Sequence, residues 1–265
     1  MHVATNDQES PLPTQRPLGG LLDLFLFIML AVVLNVGVQL VAIAAYFAVA
    51  HQQQPGVPWT DLERQLIEEL RYNPFFLVPI QLAWQILLLA ALYLILRRLR
   101  DVPFWSSLAF RALPAGRLGL GFLLGFVLAP LIQGANLLLP PPEPLMLEKL
   151  FATKTASLLI LAAAVIVAPF VEELFFRGYI YTLLERLWGS LPAILTSGLL
   201  FGSIHFVQLW PGWFQMLLIC VVGIIFSTVR ARTGSTLASI AVHFGYNFAL
   251  ALFFLLSPQF RQLPP

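Results

Sequence analysis

The chain has 265 residues, 59% of them hydrophobic and 11% charged, with a net charge of +2 and a mean hydropathy of +0.84. A soluble domain carries about 25% charged residues, so this composition excludes a soluble enzyme, a disordered chain and a nucleic-acid binder. The single cysteine, Cys220, excludes a disulfide framework and a cysteine-rich zinc site. The expected fold class is therefore all-α, a polytopic bundle of transmembrane helices.

The chain opens on a polar, Pro-containing tail, Met1 to Leu18, without a basic n-region or small-residue cleavage site, which reads as a tail rather than a cleaved signal peptide. A spanning helix needs about 20 mostly apolar residues. About seven stretches qualify, at roughly 21–50, 75–96, 115–138, 156–185, 192–209, 213–229 and 235–257. Between the first two, Thr60-Asp61-Leu62-Glu63 has the pattern of a capping box, and Leu62, Leu66, Ile67 and Leu70 share one helical face. This predicts a short surface helix near 60–72, stopped by Asn73-Pro74. Leu139 to Pro144 holds four prolines and cannot be helical. It reads as a linker, with a lid over a substrate entrance as the other reading. Trp59, Trp105, Trp188, Trp210 and Trp213 fall near span ends and read as interfacial anchors, whereas Trp84 lies within a span.

The arginines give the orientation. Arg97, Arg98, Arg100, Arg111 and Arg117 crowd one loop, Arg230 and Arg232 another, and Arg186 and Arg16 fall on the same side if seven spans alternate. The other side holds Arg64, Arg71, Lys149, Lys154 and Arg261, diluted by Asp61, Glu63, Glu68, Glu69, Glu143 and Glu148. The N-terminus is thus expected in the cytoplasm and the C-terminus outside.

Ionisable residues inside a span are costly, about 2.5–3.5 kcal/mol each on insertion scales, and usually line a bundle interior or a wet cavity. Here they gather in the last four spans: Glu172, Glu173 and Arg177 in the fourth, His205 in the fifth, His243 with Asn247 in the seventh. At about 1.5 Å per residue, Glu172, His205 and Asn247 come out roughly 21, 20 and 18 Å inside their cytoplasmic span ends, and His243 about 12 Å. Glu173 and Arg177 are four apart, acid first, the better order for a helical ion pair, so Glu173 reads as neutralised and supporting. Glu172, turned about 100° from it, is expected to face the cavity that the histidines line. Pro169, a turn earlier, should bend the helix and free carbonyl groups. Gly121 with Gly125, and Gly198 with Gly202, read as helix-packing pairs.

A carboxylate, two imidazoles and an amide at this depth suit three chemistries. They can activate water for hydrolysis, hold a divalent metal, or relay protons in a transporter. No Ser-His or Cys-His nucleophile stands out, and His-Glu-x-x-His is absent.

Glu172-Glu173-Leu174-Phe175-Phe176-Arg177-Gly178, then Phe201-x-x-x-His205, then His243-x-x-x-Asn247 resemble the three motifs of the CAAX prenyl-protease type II and bacteriocin-processing family, also called CPBP or Abi. The likeness covers about residues 150–250, with order and spacing kept. It implies an intramembrane endopeptidase, with Glu172 and His205 activating water, His243 and Asn247 stabilising the oxyanion, and Glu173 and Arg177 in support. For a cofactor it leaves two readings: zinc or another divalent metal on Glu172, His205 and His243, or a metal-free reaction. The division that follows is 1–20, a cytoplasmic polar tail; 21–150, a variable transmembrane region; 151–257, the catalytic core; and 258–265, a short C-terminal tail. The expected partners are the bilayer of a bacterial plasma membrane and a membrane-associated peptide, prenylated or bacteriocin-like, with no nucleic acid. The rival of different class is a non-proteolytic transporter or an immunity or binding scaffold, but a transporter would more often show repeated halves and broken helices, and the sequence indicates neither.

Overall fold

The computed structural model describes residues 19–54 and 56–265, and among these there is helix and no strand. The expected tail before residue 19, with Arg16 in it, lies outside the described residues. The chain runs through α1 (Leu21–Gln53), α2 (Trp59–Arg71), α3 (Pro74–Leu94, extended by a π turn Ile95–Leu99), α4 (Phe104–Ser107) and α5 (Ala115–Asn136). A near-continuous rod follows, built of α6 (Lys154–Ala162), α7 (Ala168–Glu173) and α8 (Tyr181–Trp188) joined by π turns. Then come α9 (Ser190–Ile204), α10 (Phe206–Leu209), α11 (Trp213–Thr233), α12 (Thr236–Leu256) and α13 (Pro258–Gln262).

Six helices are long and apolar enough to cross a membrane: α1, α3 with its π turn, α5, the α6–α8 rod, α11 and α12. The fold is a polytopic all-α bundle. The stretch expected as the fifth span, 192–209, is not one helix. It divides into the 15-residue α9 and the four-residue α10, with His205 at the break. At about 1.5 Å per residue α9 is roughly 22 Å long, short of a hydrocarbon core of about 30 Å. Gly189, at φ 84°, sets its start by a conformation that only glycine adopts freely.

The surface helix forms, but its start differs. Pro58, not Thr60, precedes the first helical residue, so the expected capping box is not used. Proline supplies a fixed φ and the helix begins one residue before the threonine. Leu62, Leu66 and Leu70 are buried, while Ile67 is exposed. Asn73 closes the break by accepting from the Phe75 amide at 3.0 Å and so caps α3.

Two helix pairs hold the C-terminal half together. A Cβ added at Gly125 of α5 would collide with the Val242 carbonyl of α12, and one at Gly245 with the Phe122 carbonyl. The same backbone-to-backbone approach joins α9 to α11 at Gly198 and Gly202, as small residues in membrane helices allow. The ends are tied as well. Asp23 at the start of α1 pairs with Arg100 after α3, and the Lys154 amide, at the start of α6, donates to the Pro264 carbonyl.

Candidate active site

The α6–α8 rod is distorted where it carries chemistry. Pro169 has no N–H, and the Ala168 amide reaches back five residues to the Ala163 carbonyl in the first π turn. The Ala164 carbonyl is then left with neither its α partner nor its π partner. Asn247 Nδ2, from α12, donates to it at 2.8 Å. The proline therefore fixes the side chain of a residue 78 positions away in sequence by leaving one acceptor open (247 minus 169).

That bond settles the rest of the network, because a carbonyl only accepts. The amide face of Asn247 is assigned, and its other N–H points at His243 Nε2, 3.2 Å away. Nε2 must then be the unprotonated nitrogen, and Nδ1–H donates to Glu173 Oε1 at 3.0 Å. The same carboxylate oxygen accepts from Arg177 Nη1 at 2.8 Å. Arg177 also donates to the Gly223 carbonyl (2.7 Å) and the Ser227 hydroxyl (3.3 Å) of α11. Its guanidinium lies over the Phe201 ring at 4.6 Å and near Phe226 at 5.4 Å. Glu173 and Arg177 are 0% exposed and His243 4%.

Arg177, Glu173, His243, Asn247 and the Ala164 carbonyl thus form one buried chain linking the rod to α11 and α12. Sequence reasoning expected the Glu173–Arg177 pair and the His243–Asn247 face, and the structure joins them. It also differs from that reading: the acid bonded to His243 is Glu173 rather than Glu172. The π turn before α7 resets the face that α7 presents, which a uniform 100° step along the span does not anticipate. Gly223, Phe226 and Ser227 of α11 were missed. The Gly-Ser pair four apart in an apolar span was the available signal.

His205 stands at the end of α9, where its backbone leaves the helix at φ −86°, ψ 1°. Its Nδ1 lies 2.8 Å from the Phe201 carbonyl and must carry the proton, so Nε2 keeps a free lone pair. Glu172 is half-buried, and among the described residues no hydrogen bond ties its carboxylate. Glu172 and His205 are therefore the two motif groups with open valence, while His243 and Asn247 are saturated.

The family model described as Type II CAAX prenyl endopeptidase Rce1-like matches residues 154–249. Over that segment the chain is similar to this family. The match runs from the start of α6 into α12 and includes Glu172, Glu173, Arg177, His205, His243 and Asn247; α1 to α5 lie outside it. The similarity supports protease activity of the CAAX type in general, and the six apolar helices support a multi-pass membrane protein. No curated protein and no solved structure matches the chain.

A divalent metal would activate a hydrolytic water if the side chains here could hold one. Among the described residues no three His, Cys, Asp or Glu side chains gather where they could hold an ion. His243 could become a ligand only by giving up Glu173 or Asn247. The expected zinc set of Glu172, His205 and His243 does not fit this arrangement, because the three side chains do not gather around one point among the described residues.

Proposed function

We propose that the chain is an intramembrane endopeptidase that hydrolyses a peptide bond of a membrane-associated substrate, a prenylated or bacteriocin-like peptide, with water activated between Glu172 and His205. The observation that carries this is the pair of open valences: an Nε2 lone pair fixed by the Nδ1–Phe201 bond, and a half-buried carboxylate with no hydrogen-bond partner among the described residues. One water hydrogen bonds to His205 Nε2 and the other passes to Glu172 as the oxygen attacks the carbonyl carbon. Glu172 then returns that proton to the leaving amine nitrogen.

Asn247 supplies the oxyanion with the N–H now spent on His243 Nε2. His243 keeps its Nδ1–H on Glu173, whose charge Arg177 balances, and so holds the Asn247 amide in position for that role. We place the protein in a bacterial plasma membrane with its N-terminus cytoplasmic and its C-terminus outside. The Asp23–Arg100 pair supports this by setting the start of α1 beside the arginine-rich turn after α3, and the Lys154–Pro264 bond sets the C-terminus at the other end of the rod.

The test is cleavage of a prenylated C-terminal peptide by the purified chain in detergent micelles. Glu172→Gln and His205→Ala should each lower turnover by about 10²–10⁴, with unchanged thermal unfolding because neither side chain joins the buried network. Wild-type turnover in Glu172→Gln would end the proposal. Full activity in chelator would establish hydrolysis on protein side chains alone.

A further inference from the structure

At the far end of α8 a cavity of about 270 Å³ is lined by Ser106, Ser107, Arg111, Glu185, Arg186 and Arg230, with the turn after α11 closing it. Arg230 is 4% exposed. A guanidinium has five N–H donors, yet among the described residues this one makes a single hydrogen bond, from Nη2 to Thr182 Oγ1 at 3.1 Å. Its Nε is buried with no partner. Its other neighbour is the Tyr181 ring, 5.1 Å from Cζ.

The charges around it do not balance. Glu185 is the one carboxylate in the lining, and it accepts from the Tyr181 hydroxyl at 2.8 Å. Among the described residues no salt bridge within 4.0 Å joins it to Arg111, Arg186 or Arg230. Charge bias at a membrane face accounts for the exposed Arg111 and Arg186. It does not account for Arg230, a buried cation with unused donors, which is costly without a counter-charge.

We propose that this cavity binds a phosphate group, carried by a lipid headgroup or by a soluble phosphate. Guanidinium forks match phosphate oxygens in pairs, and three of them converge here. The volume suits a phosphate with its glycerol rather than an acyl chain. The walls are pinned: Ser235 Oγ donates to the Arg111 carbonyl at 2.7 Å, Thr236 Oγ1 to the Leu108 carbonyl at 2.6 Å, and the Thr236 amide to the Ala109 carbonyl at 3.0 Å. The Ser106 and Ser107 hydroxyls both donate to the Pro103 carbonyl, so the arginines are the donors. The site is distinct from the catalytic network. Thr182 lies nine residues beyond Glu173 in sequence, about 13 Å along the rod. One thread connects them: Thr182 Oγ1, which holds Arg230, donates to the Arg177 carbonyl at 3.4 Å.

The experiment follows the thermal unfolding midpoint of the purified full chain in a nonionic detergent. Titrants are dihexanoyl phosphatidylglycerol, dihexanoylglycerol, inorganic phosphate, and chloride at matched ionic strength. The phosphatidylglycerol or the inorganic phosphate should raise the midpoint saturably, while dihexanoylglycerol and chloride should not. Saturation at lower concentration with phosphatidylglycerol assigns the site to a lipid headgroup; equal or better saturation with inorganic phosphate assigns it to a soluble anion. The double variant Arg111→Gln/Arg186→Gln, at exposed positions, should raise the half-saturating concentration about tenfold with little change in the ligand-free midpoint. Absence of a saturable shift with both phosphate compounds, or an equal shift with chloride or in the double variant, would overturn the proposal.

Discussion

Two ion pairs of this chain show what its two halves do with charge. Asp23 and Arg100 meet between the start of α1 and the turn after α3, with side chains 32% and 33% exposed. Glu173 and Arg177 meet in the middle of the α6–α8 rod at 0% exposure. The surroundings differ in the same sense: 11% of the apolar stretch of α1 is buried, against 39% in α11 and in α12. The N-terminal half turns its apolar faces outward and, among the described residues, keeps its ion pair at a helix end, where water screens it. The C-terminal half buries its pair among Phe176, Phe201 and Phe226 and extends it through His243 to Asn247. A pair of the first kind fastens two helices. A pair of the second kind sets protonation states.

The largest test of this contrast is Arg177→Met. It leaves Glu173 buried without a counter-charge and removes the donors to Gly223 and Ser227, so the loss should be about 3–5 kcal/mol. Denaturation in mixed micelles measures it. The double variant Glu173→Gln/Arg177→Met should recover part of that loss, since partners in one network are not additive. A single-variant loss as small as that of a surface pair would mean that the buried network does not organise this half.

The next test separates structure from chemistry at Asn247. Asn247→Ala strands the Ala164 carbonyl and frees His243 Nε2, at a cost of about 1–3 kcal/mol, and should lower cleavage by about 10²–10³ as an oxyanion donor is lost. Pro169→Ala restores an N–H five residues beyond Ala164. Added to Asn247→Ala it should return stability and leave cleavage low. Recovery of both would make Asn247 a purely structural group.

The pattern of these residues was legible where the sequence states a chemical type at helical spacing. Glu173 four before Arg177, and His243 four before Asn247, needed only the period of a helix, and the family's order of motifs marked the whole set. What the sequence left unread came from departures from that period. Two π turns bracket Glu172 and Glu173, so the facing of the two acids could not be taken from a uniform 100° step. The break of α9 at His205 is a local backbone departure, φ −86°, ψ 1°, that no residue type in the apolar run marks. The role of the Ala164 carbonyl is a backbone matter that no side-chain motif records, although Pro169 announced that some carbonyl would be free.

The smallest effect belongs to the exposed pair. Asp23 also accepts from the Gly20 amide at 2.7 Å and so caps α1. Asp23→Asn keeps an acceptor for that amide and removes the charge, which isolates the ion-pair contribution. With both side chains about one-third exposed, the change should be about 0.2–1 kcal/mol and should fade as salt is raised. A double-mutant cycle of Asp23→Asn with Arg100→Gln, at low and high ionic strength, reads the coupling directly. A coupling that reaches that of Glu173 with Arg177, or one that ignores salt, would break the contrast between the halves. It would place α1 and the end of α3 in a setting as dry as the rod itself.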